Sequence, residues 1–290
     1  MNRWSCAITP GNKACARHPL TRLWLFPVLV TLALSSTLAW SREDEVAERT
    51  PPELAMVATP LRRPIVGERL SFHGRWIGIP VGQGWIEVKD IVQLEGRSAY
   101  HIEAQGSSNE VLSAFYPIHD VVHSYLDTET LKPLRFEKHQ REGRYRSDEI
   151  VTFDDHQRLA HYQSLLNGTT KDIPLPTEFQ DLISTLYWFR TQPIEPNQRL
   201  LVDIYTDEKI YQTEISVKPP MLLELLKRGT FSCLVIEPKA SFKGFLVKRG
   251  RIWAYVTADQ YRVPLLVKAT TPWGPMSAVI DEESLQAFLK

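Results

Sequence analysis

The sequence predicts an all-β, mainly antiparallel protein, built as a large curved sheet or a partly open β-barrel with one covering amphipathic helix. From Leu70 onward, apolar residues recur at every second position over short stretches, which is typical of strands with one buried face. Turn residues at 78–82, 142–143 and 167–168 separate these stretches. One segment, 179–190, has a helical period instead and must lay its apolar face on the sheet.

The strands are predicted as a nearly continuous series along the chain. Their number and spacing are what a large curved sheet or barrel requires. The series comprises 70–76, 85–91, 100–104, 121–126, 134–139, 145–153, 159–165, 200–205, 210–217, 221–226, 230–236, 242–248, 252–257, 263–268 and 276–280.

The covering helix is predicted from a start signal and a one-sided apolar pattern. Thr177 and Gln180 have the spacing of a capping box, and Pro193 ends the segment. Weaker helical patterns occupy 109–115 and 283–289. The apolar face of the covering helix comprises Phe179, Leu182, Ile183, Leu186 and Tyr187.

Residues 1–41 have the pattern of a cleaved signal peptide. Basic residues without acidic ones precede an apolar run at 23–34, which is shorter than the ~20 residues that a membrane-spanning helix needs. We therefore expect export to the periplasm and no stable transmembrane segment after cleavage. The alternative is an uncleaved leader that anchors the protein to the inner membrane. Residues 42–64, rich in charge and proline, are predicted to form a flexible arm, and 65–290 a single antiparallel β domain.

Charge and cysteine content limit the classes of function. Residues 42–290 contain 30 basic and 34 acidic residues, and this net charge of −4 does not favour nucleic acid as a partner. Without the leader, Cys233 is the only cysteine, which excludes an internal disulfide. Because Cys233 lies in an apolar alternation with Phe231 and Val235, we expect a buried, unreactive thiol.

Four ordered motifs follow one another along the predicted domain. They are Trp76-Ile77-Gly78-Ile79-Pro80-Val81-Gly82, Phe115-Tyr116-Pro117-Ile118-His119-Asp120, Gln180-Asp181-Leu182-Ile183-Ser184-Thr185-Leu186-Tyr187-Trp188-Phe189-Arg190, and Ile252-Trp253 followed by Asp259, Arg262 and Pro264. Together, in this order, they resemble a known bacterial family, the domains of unknown function 3108 (DUF3108). The resemblance extends from about residue 65 to 280 and implies an exported all-β domain without a settled activity. In shape, we expect such a sheet to be similar to the half-barrels of envelope lipoprotein-sorting chaperones.

Acid/base chemistry has four candidates in the sequence. Asp120 and Asp181, together with His119 and His123, could relay protons if a dry cavity brought a carboxylate to an imidazole. The alternative is structural, since aspartates also bind the free N–H groups of turns and helix starts. His119 and His123 share one face of a strand and could supply two metal ligands, but without a further ligand near them we predict neither a metal nor a cofactor.

Three charged residues at the ends of elements suggest a structural lock. Asp259 and Arg262 lie at the tip of the hairpin formed by 252–257 and 263–268, and Arg190 ends the predicted helix. An arginine–carboxylate pair there would tie the helix to the hairpin. The alternative is an exposed arginine that binds an anionic head group.

The aromatic side chains and the helix together suggest an apolar groove. A curved sheet with a helix on its concave side can enclose an acyl chain, although the same rings can simply fill the core. The first hypothesis is therefore a non-enzymatic binder of a lipid, another amphiphile or an envelope component. The alternatives are a hydrolase or transferase on an envelope polymer, and a protein–protein scaffold. The groove residues would be Trp76, Trp85, Tyr116, Leu182, Leu186, Tyr187, Trp253, Arg190 and Arg262.

Overall fold

The computed structural model describes residues 47–49, 63–225, 228–242, 245–246, 250–272 and 274–288. The predicted signal peptide, residues 1–41, lies outside this range, as does most of the predicted arm. Within the arm, three residues form a short strand that pairs with 222–224. That part of the arm is therefore a strand and not the loose segment that its composition predicted.

The strands follow the predicted series and are longer than predicted in several places. Three short strands, β1, β9 and β10, were not predicted. In the described part of the chain the strands are β1 (Ala47–Arg49), β2 (Arg69–Trp76), β3 (Ile79–Leu94), β4 (Arg97–Ser108), β5 (His119–Asp127), β6 (Pro133–Glu142), β7 (Tyr145–Asp154), β8 (Leu159–Ser164), β9 (Thr170–Pro174), β10 (Gln180–Asp181), β11 (Arg199–Thr206), β12 (Lys209–Val217), β13 (Met221–Leu225), β14 (Gly229–Phe242), β15 (Phe245–Leu246), β16 (Arg251–Thr257), β17 (Pro264–Thr271) and β18 (Gly274–Ile280).

Three short helices accompany the strands in the described part of the chain: α1 (Glu110–Ser113), α2 (Ser184–Thr191) and α3 (Glu282–Phe288). None of the three is long and apolar enough to cross a membrane. The start of α2 corrects the prediction for 179–190, because Gln180 and Asp181 pair in parallel with β11 as β10. The Asp181 carboxylate then accepts from the backbone N–H groups of Ile183 and Ser184, so it serves the helix start in place of the predicted capping box.

The strands form one large sheet that confirms the predicted fold class. Its strands pair in antiparallel fashion except for β10 and β11, which are parallel. Because β18 pairs with β2, the last strand of the chain lies beside the first strand of the main series. Among the described residues, the edge strands are β9 at one end and β10 and β1 at the other. From one end to the other, the order is β9, β8, β7, β6, β5, β4, β3, β2, β18, β17, β16, β14, β12, β11 and β10, with β13 and β15 on the two sides of β14, and β1 beyond β13.

Among the described residues, the two ends of the sheet are joined by side chains and not by a backbone ladder. We call this contact the seam. Lys138 of β6 contacts Asp207, in the turn after β11, with 3.0 Å between Nζ and Oδ1. Lys171 of β9 forms an ion pair with Glu208 in the same turn. An apolar cluster lies alongside, formed by Phe136, Val151, Phe153, Ala160, Tyr162, Leu175, Phe179 and Tyr205. The sheet is therefore unclosed in the hydrogen bonds of the described residues, and side chains connect its two ends.

The main core lies on the inner face of the sheet, where alternate residues of each strand are buried. In β4, for example, Tyr100 and Ile102 are buried, while His101 between them is half-buried on the outer face. Cys233 belongs to this core, is a free thiol and has no exposed surface. Burial raises the pKa of Cys233 to about 12, so its reactive thiolate form is suppressed at neutral pH.

Candidate functional site

A cleft of about 530 Å³ lies where the β2–β3 hairpin meets the start of α1, and we call it the hairpin cleft. A second cleft, of about 150 Å³, lies beside α2 and β11. The first volume falls in the ordinary range of small-molecule sites and the second falls below it. The hairpin cleft is lined by His73, Gly74, Arg75, Pro80, Gly82, Gln83, Ser108, Asn109 and Glu110.

Glycines line the hairpin cleft where the strands come closest. Gly74 and Gly82 are direct partners in the β2–β3 ladder. A Cβ atom on Gly82 would lie 2.2 Å from the backbone oxygen of Ser107, so no side chain fits there. Glycine therefore allows this close approach of the backbones and leaves space that side chains would otherwise fill.

Asn109 ties α1 to the hairpin. Its Nδ2 donates to the carbonyl of Pro80 at 2.8 Å, and its backbone N–H donates to the carbonyl of Val81 at 2.8 Å. Its Oδ1 accepts from the N–H of Leu112 at 2.9 Å and thereby caps α1. These hydrogen bonds hold the start of α1 beside the β2–β3 hairpin.

Four large apolar side chains on these two segments are exposed, and we call them the apolar rim. They are Ile77, Ile79, Val111 and Phe115, with 55%, 62%, 71% and 75% of their surfaces exposed. A single exposed apolar residue is ordinary on any protein surface. These four follow or precede lining residues of the hairpin cleft in the sequence, so exposed apolar side chains occur on both segments that form it.

Neither cleft lies in the groove that was predicted beneath the helix. Neither cleft is lined by Leu182, Leu186 or Tyr187. Tyr187 is only 1% exposed and belongs to the main core cluster, and Leu186 packs against the same cluster. Leu182 is 57% exposed. The helix therefore presents Leu186 and Tyr187 to the packed interior of the sheet.

The predicted aromatic groove residues are spread over separate environments. The guanidinium of Arg69 lies 3.9 Å from the ring centroid of Trp85, which lies on the outer face. Trp253 packs at the edge of the core cluster. Tyr116 lies against Gly143, where a Cβ atom would approach its ring to 2.6 Å. Trp76 is the predicted groove residue that lies beside the hairpin cleft, because it ends β2 directly after the lining residue Arg75.

Arginine contacts to backbone carbonyls, and not the predicted arginine–carboxylate pair, link the helix to the hairpin tip. The Arg190 side chain is fully buried, its Nε donates to the carbonyl of Tyr261 at 2.8 Å, and Arg262 donates in return to the carbonyl of Arg190 at 3.2 Å. Asp259 accepts from the backbone N–H of Arg262 at 3.1 Å and so shapes the turn. The carboxylate partner of Arg190 is Glu68, which sequence reasoning missed because an acidic residue beside a strand is normally exposed.

The acid/base candidates do not form one group. Asp120 lies on the inner face of β5, while His119 and His123 lie on the outer face, because residues an odd number of positions apart point to opposite sides. Asp181 is completely buried and accepts from the Ser124 hydroxyl and from the start of α2. Burial raises the pKa of Asp181 to about 6 despite these hydrogen bonds.

Asp120 instead meets a carboxyl group that the sequence analysis did not select. The carboxyl groups of Asp120 and Glu142 lie close enough to interact, and both residues are buried. Burial, followed by the negative charge of Asp120, raises the pKa of Glu142 to about 7. Glu142 ends β6, where the following glycine indicated only a turn.

Among the described residues, a group that could hold a metal ion is formed by His101, Glu103 and His123, on the outer face of β4 and β5. Burial lowers the pKa of His123. The spacing of His101 and Glu103, two apart in a strand, was a signal in the sequence that they share a face. His119 is not a member of this group.

Comparison with known proteins supports the fold and assigns no activity. The family described as "Protein of unknown function (DUF3108)" matches residues 70–281. A crystal structure of a β-barrel-like protein of domain of unknown function DUF1849 from Brucella abortus is similar, with a TM-score of 0.53 and 8% identity over 76% of this chain and 98% of that chain. A DUF1089 family protein from Pseudomonas aeruginosa aligns with a TM-score of 0.29 and 12% identity over 68% of this chain and 96% of that chain. No curated protein matches the sequence.

Proposed function

Because the chain belongs to the DUF3108 family of unknown function, we propose a function from its own site: it is an exported, non-enzymatic protein that binds an amphiphilic molecule of the cell envelope in the hairpin cleft. The observation that carries the proposal is the position of a cleft of about 530 Å³ beside four exposed apolar side chains. An amphiphile would place its polar head in the cleft and its apolar chain over the apolar rim.

The polar lining of the cleft suits a head group with both donors and acceptors. Arg75 and His73 contribute cationic or hydrogen-bonding groups, and Glu110 contributes a carboxylate. Gly74 and Gly82, whose strands are paired on both sides, add no side chain to the lining, so a head group could approach the sheet closely there. The polar groups of the cleft and the bulky side chains of the apolar rim therefore match a molecule that has a polar head and an apolar chain.

The position of the site differs from the groove predicted beneath the helix. The side chains of Leu186 and Tyr187 pack on the core cluster, so an acyl chain there would have to displace buried side chains. Displacing them would lose their packing, whereas the apolar rim already faces solvent. The alternative of a hydrolase or transferase has less support, since the sheet separates the candidate imidazoles from the buried carboxyls.

We expect amphiphiles to raise the melting temperature of the protein, because a ligand that binds only the folded state stabilises it. Suitable probes are lysophosphatidylglycerol, lysophosphatidylethanolamine and dodecyl maltoside, each below its critical micelle concentration. The double variant Val111→Ser, Phe115→Ser should lose most of this shift. Both side chains are exposed, so the variant itself should fold with stability within about 0.5 kcal/mol of the wild type.

The matched control is Leu201→Ser, which changes a leucine that is 68% exposed and lies on β11, outside the hairpin cleft. The control should keep the full shift. If no probe shifts the melting temperature, or if the rim variant responds like the wild type, the amphiphile proposal fails. A protein partner for the apolar rim would then be the reading to test next.

The export part of the proposal rests on residues 1–41, with their basic start and apolar run. We expect the protein from a fractionated bacterial host to be in the periplasm, with an N-terminus within a few residues of Arg42. N-terminal sequencing of the periplasmic and membrane fractions checks this. Recovery from membranes alone, with the leader intact, would favour the uncleaved anchor.

A further inference from the structure

We propose that His101, Glu103 and His123 form a binding site for a divalent transition-metal ion of the zinc class. The site lies on the outer face of the sheet, across β4 and β5. It is separate from the hairpin cleft and does not depend on the function proposed above.

The strand register places the three side chains together. His101 and Glu103 are two residues apart on β4 and share its outer face, and His123 on β5 lies directly opposite Glu103. One ligand atom from each residue lies within 4.8 Å of the others. The side chains of His101 and Glu103 are 19% and 21% exposed, so an ion can reach the site from solvent while most of each ligand is held by its neighbours.

The two imidazoles already face each other with their nitrogen atoms. His101 Nε2 lies 3.0 Å from His123 Nδ1. Two nitrogens bound to one tetrahedral zinc at ~2.0–2.1 Å would be about 3.3 Å apart. A shift of a few tenths of an ångström therefore converts this contact into a pair of metal ligands. The ion would replace the proton that lies between His101 Nε2 and His123 Nδ1. His123 can carry that proton on Nε2 instead.

A β-bulge supplies a partner for the remaining nitrogen of His101. In a regular ladder Lys89 would lie opposite His101, but the register shifts after Val88 and places Asp90 there. Asp90 Oδ1 lies 3.3 Å from His101 Nδ1. A carboxylate that accepts from Nδ1–H leaves Nε2 free to bind a metal, which is the usual arrangement behind histidine ligands.

The orientation of the His101 ring is also held from its face. Tyr125 stacks on it, with the ring centroids 4.8 Å apart and the planes 7° from parallel. Lys89 Nζ lies 3.9 Å from the Glu103 carboxylate. This contact is long and partly exposed, so it contributes little and an ion can replace it.

The type of ion follows from the ligand set. Imidazole nitrogens select zinc, copper, nickel or iron over magnesium and calcium, which prefer oxygen ligands. Two imidazoles and one carboxylate make three protein ligands, the number found in zinc sites that keep a fourth position for water. We therefore commit to Zn²⁺ as the probe.

Two other histidine–carboxylate contacts on the outer face provide the comparison. His139 Nδ1 lies 2.9 Å from Asp148 Oδ1, and His161 Nδ1 lies 2.7 Å from Asp172 Oδ1. Neither pair belongs to a group of three ligands among the described residues. They resemble ordinary exposed ion pairs, and His161 serves as the matched control.

The experiment is a Zn²⁺ titration of the purified protein after EDTA treatment and dialysis, followed by calorimetry and by equilibrium dialysis. We expect one Zn²⁺ per chain. His101→Ala or His123→Ala should lower the affinity at least about 100-fold, and Asp90→Asn by roughly 10–100-fold as an orienting partner. His161→Ala should bind like the wild type. Cobalt added in place of zinc should give the visible absorption of a four-coordinate ion, which Glu103→Gln should change.

Circular dichroism establishes that each variant is folded, and Glu103→Gln and Asp90→Asn, with their small changes in volume, test the site if a histidine variant does not fold. The proposal is overturned if the wild type binds no zinc at about 100 μM, a concentration far above the dissociation constants of structural zinc sites. It is equally overturned if stoichiometric binding persists unchanged in both His101→Ala and His123→Ala.

Discussion

Replacing Arg190 by methionine is expected to lower the free energy of unfolding by about 3–5 kcal/mol, because the change leaves the Glu68 carboxylate buried without its cation. The side chains of Arg190 and Glu68 are 0% and 1% exposed. The guanidinium binds both carboxylate oxygens and also the carbonyl of Tyr261. The change removes three charge-assisted hydrogen bonds from a site that is closed to solvent on both side chains.

The measurement is urea unfolding at neutral pH, with the wild type and each variant compared at equal slope. Arg69→Met is the matched control, since Arg69 forms a 2.6 Å pair with Glu87 but its side chain is 46% exposed. It should cost less than about 1 kcal/mol. The double variant Glu68→Leu, Arg190→Met should recover part of the loss, because it removes the unpaired charge. A cost for Arg190→Met no larger than that of the control would contradict the buried pair.

Replacing Phe179 by alanine is expected to cost about 3–5 kcal/mol, as in other truncations of large buried rings. Phe179 is 2% exposed and lies just before β10, at one end of the sheet. Its ring centroid is 5.2 Å from that of Phe153 in β7, and Phe153 is in turn 5.3 Å from Tyr205 in β11. Since the seam has side chains in place of a ladder, this cluster is what holds the two ends of the sheet together.

A local effect should accompany the loss of global stability. In Phe179→Ala, amide hydrogen exchange should accelerate first in β9 and β10, the two ends of the sheet, and less in β3 and β4 near its middle. Phe115→Ala, at a phenylalanine that is 75% exposed, is the control and should change stability by less than about 0.5 kcal/mol. A uniform change in exchange, or a cost below 1 kcal/mol, would show that the seam does not depend on this ring.

The strands were predictable because their signal is local. The segment 121–126 alternates apolar and polar residues, and it lies within β5 (His119–Asp127), whose inner face is buried. β9 (Thr170–Pro174) gave no such signal, since four of its five residues are exposed and no buried face imposes an alternation. β10 has two residues and forms only because β11 offers it a partner. Neither could be predicted from local periodicity.

The candidate sites were predictable in part, for a similar reason. The segment 78–82 was predicted as a turn, and Pro80 and Gly82 from it line the hairpin cleft, but no site was predicted there. The metal group needed the pairing of β4 with β5, and the selection of His119 with His123 followed only the spacing within one strand. Asp120 was selected only as an acid/base candidate, and its contact with Glu142 on the neighbouring strand was not predicted.

By itself, the sequence determined the antiparallel β class, the family and most strand positions, because period-two burial and short ordered motifs are properties of neighbouring residues. Tertiary structure alone decided which side chains meet across strands. It brought Glu68 into contact with Arg190, brought Asp90 to His101 through a β-bulge, and placed Phe179 in the seam. Such contacts depend on register and on the curvature that brings distant ends together, and a shift of one residue would send each side chain to the opposite face of the sheet.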